Sequence, residues 1–164
     1  MDTRREYKKG VAKEEEFITL AKTYGYGCKK STKREDIEDH WDVELSKLNE
    51  ILKVDVKSLK KIDRYDSAPN EDYIWLEIKN VHGKFGWCYA EKINGFFFER
   101  FNSWFYVEKE DAQKLIKEKV KKEYVANPNN ALYKLYRRSG RQDAITLVKA
   151  NDLLPYAKKT FIKT

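Results

Sequence analysis

Two runs of period-two alternation, separated by only four residues, constrain this chain more than any other feature. Residues 41–46 put Trp41, Val43 and Leu45 on one face and Asp42 and Glu44 on the other. Residues 51–59 put Leu52, Val54 and Val56 on one face and Lys53, Asp55 and Lys57 on the other. Successive side chains of a strand point to opposite faces, so each run reads as a half-buried strand. The connection Lys47-Leu48-Asn49-Glu50 suits a hairpin and is far too short for a helical crossover. The two strands are therefore expected to be antiparallel neighbours, which argues against a doubly wound nucleotide-binding fold.

The remaining segments fill in around this hairpin. Residues 1–10 form a basic arm ending at Gly10. In 11–24 the residues Val11, Phe17, Ile18, Ala21 and Tyr24 recur at helical spacing, and Gly25 and Gly27 follow as stops. Residues 28–40 and 60–72 are polar and charged and read as loops. A third strand is expected at 73–80, with Ile74, Leu76 and Ile78 on one face, and two aromatic strands at 95–100 and 104–108. A second helix covers 109–123, with Ala112, Leu115, Ile116 and Val120 inward, and a strand at 144–149 and a short helix near 151–158 complete the chain. This order predicts an α/β (α+β) sandwich, a mixed sheet flanked by helices with a C-terminal β-α extension. The expected organisation is an arm at 1–10, a core at 11–123 and a basic extension at 124–164 packed on that core.

Composition limits the partners. With 41% hydrophobic residues the chain can bury one ordinary core, despite 37% charged residues. The net charge of +7 points to a polyanionic partner, of which nucleic acid is the commonest. Cys28 and Cys88 form no CxxC pair, so they read as free thiols of a reducing compartment rather than as zinc ligands. No run approaches the roughly 18 apolar residues of a membrane span, and the charged start has no apolar signal region, so an intracellular, cytoplasmic protein without a membrane partner is expected.

The polar faces of the hairpin carry the chemistry. Asp55 and Lys57 share one strand face, and Asp42 points outward on the neighbouring strand, so two carboxylates and an ammonium can converge at one end of the sheet. Such a set can hold Mg²⁺ or Mn²⁺ through hard oxygens and present a positive charge to a phosphodiester. Glu14 adds a further acid. It lies three residues after Val11, three before Phe17 and four before Ile18, and so falls near the apolar face of its helix. Glu77-Ile78-Lys79 on the third strand is a second acid-x-lysine set and competes with Asp55 and Lys57, or supports them. His40 is a further candidate contact.

Gly10, Glu14, the helix ending at Gly25-Tyr26, His40-Trp41-Asp42 and Val54-Asp55-Val56-Lys57-Ser58 together resemble the PD-(D/E)xK nuclease superfamily. Within it the likeness is to archaeal-type Holliday junction resolvases and phage-encoded endonucleases. The resemblance implies a restriction-endonuclease-like core and a Mg-dependent deoxyribonuclease that is structure-specific, junction-resolving in particular. It assigns Glu14, Asp42 and Asp55 as metal ligands and Lys57 as the catalytic lysine. It also implies a homodimer if two strands are cut symmetrically, and phage-encoded relatives would act in a host cytoplasm. Trp41 stands where the motif has proline, and Asp55 stands where glutamate is commoner. The motifs span roughly residues 8–60. Lys8, Lys9, Lys29, Lys30, Lys33, Arg34, Lys60, Lys61 and Arg64 flank them as candidate phosphate contacts, with Arg137, Arg138 and Arg141 as a further group. RNA remains open as a substrate, and the alternative is a catalytically inactive nuclease-fold protein that binds nucleic acid or a protein partner.

Overall fold

In the computed structural model, which describes residues 3–164, the expected hairpin is present. Strands β2 (Val43–Lys47) and β3 (Glu50–Lys57) pair antiparallel with Val43 opposite Val54 and Lys47 opposite Glu50. Leu48, at φ 54, makes the left-handed step of the turn.

The chain is mixed α+β, and its strands form two sheets rather than the single one expected. Helix α1 (Thr3–Thr23) is followed by β1 (Gly27–Lys30), α2 (Lys33–Asp39) and the hairpin. Then come β4 (Tyr73–Lys79), a 3-10 turn at Trp87–Tyr89, β5 (Gly95–Glu99), β6 (Ser103–Glu108) and α3 (Lys109–Lys119). The remainder contains β7 (Tyr124–Val125), β8 (Leu135–Tyr136), β9 (Ala144–Lys149), α4 (Ala150–Leu153) and β10 (Lys159–Ile162). A six-stranded sheet runs β1-β2-β3-β5-β6-β10, and a four-stranded sheet runs β4-β9-β8-β7. In the larger sheet only β3 and β5 are parallel, with Asp55 opposite Phe96 and Lys57 opposite Phe98.

Two apolar clusters lie on opposite faces of the larger sheet. On one face Phe17, Ile18 and Ala21 of α1 pack on Val43, Leu45, Val54, Phe97, Trp104 and Phe161. Phe17 is fully buried, worth roughly 2–3 kcal/mol of apolar transfer. On the other face Trp41, Phe96, Phe98, Phe105 and Val107 meet Leu76 of β4, Val148 of β9 and Leu115 of α3. The Phe96–Phe98 run thus fills both clusters, as large aromatics usually do.

Several expectations need correction. The helix expected at 11–24 starts at Thr3 and absorbs the basic arm, of which residues 1 and 2 lie outside the described residues; Val11 is exposed on it rather than inward. The segment 28–40, read as loop, holds β1 and α2. Thr32 caps α2 through a reciprocal bond pair with Glu35, a capping box that outweighs the polar composition. Trp41 lies on the opposite face from Val43, because β2 begins only at Val43 and alternation does not extend before it. Strand β4 leaves the hairpin's sheet altogether and pairs with β9, Leu76 opposite Thr146. The segment after 124 is woven into both sheets, through β9 on β4 and β10 on β6.

Candidate active site

Strand β3 delivers Asp55 and Lys57 to the end of the larger sheet, on the face opposite α1's main packing. Asp42 arrives from the residue before β2. Its backbone N–H donates to Val54 O at 2.9 Å, and its carboxylate accepts from the Val56 N–H at 2.7 Å. These two bonds hold the side chain beside β3 without requiring it to be part of the strand. Helix α1 covers this end with Glu14, and the end of α2 supplies Asp36 and His40. His40 sits at the helix C-cap with φ 64, a left-handed position that ends α2 and turns the chain back toward Asp42.

Glu14, Asp36, His40, Asp42, Asp55, Lys57, Ser58 and Lys60 line one cleft of about 360 Å³, closed on one side by Trp87. The Asp42 carboxyl lies against those of Asp55 and Asp36. Carboxyls crowded out of water disfavour one another's ionisation. Burial, then the charge and hydrogen bond of Asp55, push Asp42 up to about 7, against the opposing Val56 N–H and Lys57. Burial also pushes Glu14 up to about 7, with Asp42 and Asp36 adding and Lys30 opposing. Partial desolvation and the contact with Asp42 raise Asp36.

Lys57 is the counterweight. Its ammonium pairs with the Asp55 carboxylate at 2.8 Å and lies 4.3 Å above the centre of the Trp87 ring. Burial alone would lower the Lys57 pKa, but Asp55 and Asp42 outweigh it and raise it, so the side chain is a cation at neutral pH. Cys88 lies behind it, fully buried, with burial holding the thiol well above its usual range.

The structure brings Glu14, Asp42, Asp55 and Lys57 together with His40. It does not bring Glu77 and Lys79 to the same cleft. Glu77 accepts from the Trp87 N–H at 3.2 Å and so supports the wall, whereas Lys79 lines a separate cavity between β4 and α3. Two residues escaped the sequence reading. Asp36 was hidden by treating 28–40 as loop, although Thr32-x-x-Glu35 signals a helix start. Nothing in the sequence places Trp87 over Lys57.

The basic residues separate into groups. Lys60 lines the cleft, and Lys8 and Lys9 lie exposed on α1. Lys29 and Lys30 are on edge strand β1, where Lys30 pairs with Glu15. Lys33 and Arg34 start α2, and Arg34 pairs with Glu38 one turn on. Arg137 is held by the Asp143 carbonyl and stacks 3.9 Å over Tyr124, and Arg138 pairs with the buried Asp143 at 2.6 Å. The Lys61 carbonyl accepts from the Trp75 indole N–H.

Among the described residues no group of three His, Cys, Asp or Glu side chains stands in metal-holding geometry, and no helix is long and apolar enough to cross a membrane. Comparison with protein-family models, with curated proteins and with solved structures finds no match to this chain.

Proposed function

We propose that the chain is a metal-dependent endonuclease that hydrolyses phosphodiester bonds of DNA, on a restriction-endonuclease-like core. The observation that carries this reading is the convergence of Glu14, Asp42, Asp55 and Lys57 on one cleft at the end of β3. A solvated sheet face would leave such carboxylates apart and ionised. Here they are crowded and partly desolvated, so that Glu14 and Asp42 are both pushed up to about 7, a cost the fold has no structural need to bear.

The donor set fits Mg²⁺ or Mn²⁺. All candidate ligands are carboxylate oxygens, and Mg²⁺ is commonly held by one or two carboxylates with the remaining positions left to water and phosphate. Asp42 and Asp55 would hold the ion, and Glu14 lines the same cleft. When bound, the ion supplies phosphate charge neutralisation and a more acidic water. The chain's own residues do the rest. Asp55 orients Lys57, whose cation meets the charge that grows on phosphate oxygens. Trp87 behind the ammonium fixes its direction and excludes water from that side.

The test is cleavage of a panel by purified protein: four-way junction, flap, plain duplex, single strand and RNA, each with Mg²⁺, Mn²⁺ or EDTA. Metal-dependent cutting that falls at least about 100-fold in Asp55→Asn, with DNA binding retained, is expected. Salt-sensitive binding with no cutting of any substrate would replace this reading with a nuclease-fold binding protein.

A further inference from the structure

A second cavity, of about 700 Å³, opens on the outer side of the smaller sheet, between the 62–65 loop and the 138–141 turn. Arg64, Arg138 and Arg141 reach it, and Tyr65, Trp75 and Tyr136 provide its rings. Tyr65 is 80% exposed, with the Arg64 guanidinium 4.8 Å over its ring and donating to its hydroxyl. Apolar packing does not explain a tyrosine left so open. Trp75 donates its indole N–H to the Lys61 carbonyl at 3.0 Å, which fixes the ring plane, and Tyr136 lies beside it at 5.8 Å between centroids. Arg141 is exposed, and its guanidinium has no hydrogen bond or ion pair among the described residues.

Three arginines line the groove against one acidic side chain, Asp63, and Asp143 is buried behind it. Asp63 accepts from the Tyr65 N–H at 3.0 Å and from the Asn129 amide at 2.9 Å, and Asp143 neutralises Arg138. Arg64 and Arg141 therefore present positive charge beside ring faces, which is the composition that holds a single strand: cations for the backbone and planar surfaces for unpaired bases.

The groove and the candidate active site both border a third, smaller pocket, of about 140 Å³. It shares Lys57, Ser58, Lys60 and Trp87 with the carboxylate cleft, and Trp75 with the groove.

We infer that this groove binds an unpaired nucleic-acid tail and guides it along the Lys57–Lys60 segment toward the carboxylate cleft. The inference rests on the proposed nuclease reading for what occupies the cleft, but it makes a separate claim about substrate shape: the substrate carries a single-stranded arm. A duplex is too wide to present its stacked bases to Tyr65 and Trp75, and an unpaired strand presents them freely.

The experiment measures fluorescence anisotropy in EDTA, so cleavage plays no part. Fluorescent duplexes with a blunt end, an oligo-dT tail or an oligo-U tail are titrated with wild-type protein, Tyr65→Ala and Arg141→Ala. Both side chains are exposed, and circular dichroism checks that each variant is folded. At least one tailed duplex is expected to bind about 10-fold tighter than the blunt one. Tyr65→Ala should remove about 5-fold or more of that preference, and Arg141→Ala should lower the salt dependence by about one phosphate contact. The oligo-dT and oligo-U arms tell whether DNA or RNA supplies the tail. Equal binding of blunt and tailed duplexes, or variants indistinguishable from wild type, would overturn the inference even if the protein cuts DNA. Conversely, tail preference without cleavage would leave the groove standing and remove the nuclease reading.

Discussion

At the scale of single residues, strand alternation made Asp55 and Lys57 legible as neighbours on one face, and helix-face geometry placed Glu14 near the inward side of α1. The tilt of Asp42 toward β3 was not legible, because it depends on the Val56 N–H, a partner from another strand. Its consequence is a pH-dependent stability. Asp42 titrates near 7 in the fold against an ordinary 3.8, so the folded state holds the proton more tightly than the unfolded chain. A carboxyl raised in this way costs stability as pH climbs from about 4 to about 7, and the cost is constant above that. Asp42→Asn removes the titrating group while keeping an oxygen that can accept from Val56. In metal-free buffer the variant should melt higher than wild type at pH 8, with the gap shrinking on acidification and vanishing near pH 4. Mg²⁺ should then raise the melting temperature of wild type alone, since an ion that binds only the folded site stabilises it by mass action. A gap that does not change with pH would show that Asp42 is not the raised group.

At the scale of elements, the long apolar-periodic and alternating segments were readable, and the short polar ones were not. Helix α1, the hairpin, β5, β6, α3 and β9 all carry a pattern of burial in their own sequence. In β1 and α2 the residues are mostly exposed, so little periodicity marks them, and in α2 only the cap chemistry of Thr32 does. The reach of α1 back to Thr3 was masked by Gly10, which reads as a stop. Gly10 is instead an exposed interior helix position, and a Cβ added there would meet nothing within 4 Å. Glycine in such a place costs about 0.5–1 kcal/mol relative to alanine, through the freedom it gives the unfolded chain. Gly10→Ala should therefore raise stability by about that amount in urea denaturation, with the slope unchanged. A loss of stability would mean that the helix breaks at this residue, as its sequence suggests.

At the scale of the whole molecule, the larger sheet closes through pairings that no local pattern could reveal. β4 alternates as well as β2 and β3 do, yet it belongs to another sheet, because alternation fixes which side chains share a face and not which strand lies alongside. β10 reaches the edge of the larger sheet only at the end of the chain. One buried carboxylate ties these distant parts to the cleft. Glu99, at the end of β5, accepts from Lys13 of α1 and from Lys163 at 2.7 Å each, and from the Leu59 N–H at 3.0 Å. Burial alone would raise its pKa, but those three donors outweigh it and hold the carboxyl below its usual value. A carboxyl lowered in this way adds stability above its ordinary 4.5, and that stability is lost as pH falls through the folded value. Glu99→Gln keeps the shape and removes the charge, leaving two ammonium groups with only the more distant Glu16 carboxylate, 3.5 Å from each, between them. Both lysines are partly exposed, at 31% and 21%, so water offsets part of the loss, and about 2 kcal/mol is expected rather than the larger cost of a sealed pair. For a chain of this length that corresponds to a fall in melting temperature of roughly 4–8 °C at pH 7, narrowing as the pH falls below 4.5. Lys13 lines the carboxylate cleft, and Leu59 directly follows Ser58, so loosening Glu99 should also disturb the cleft. If Glu99→Gln melts like wild type at pH 7, the clasp carries no net stability and the C-terminal strand is held by its pairing with β6 and the packing of Phe161.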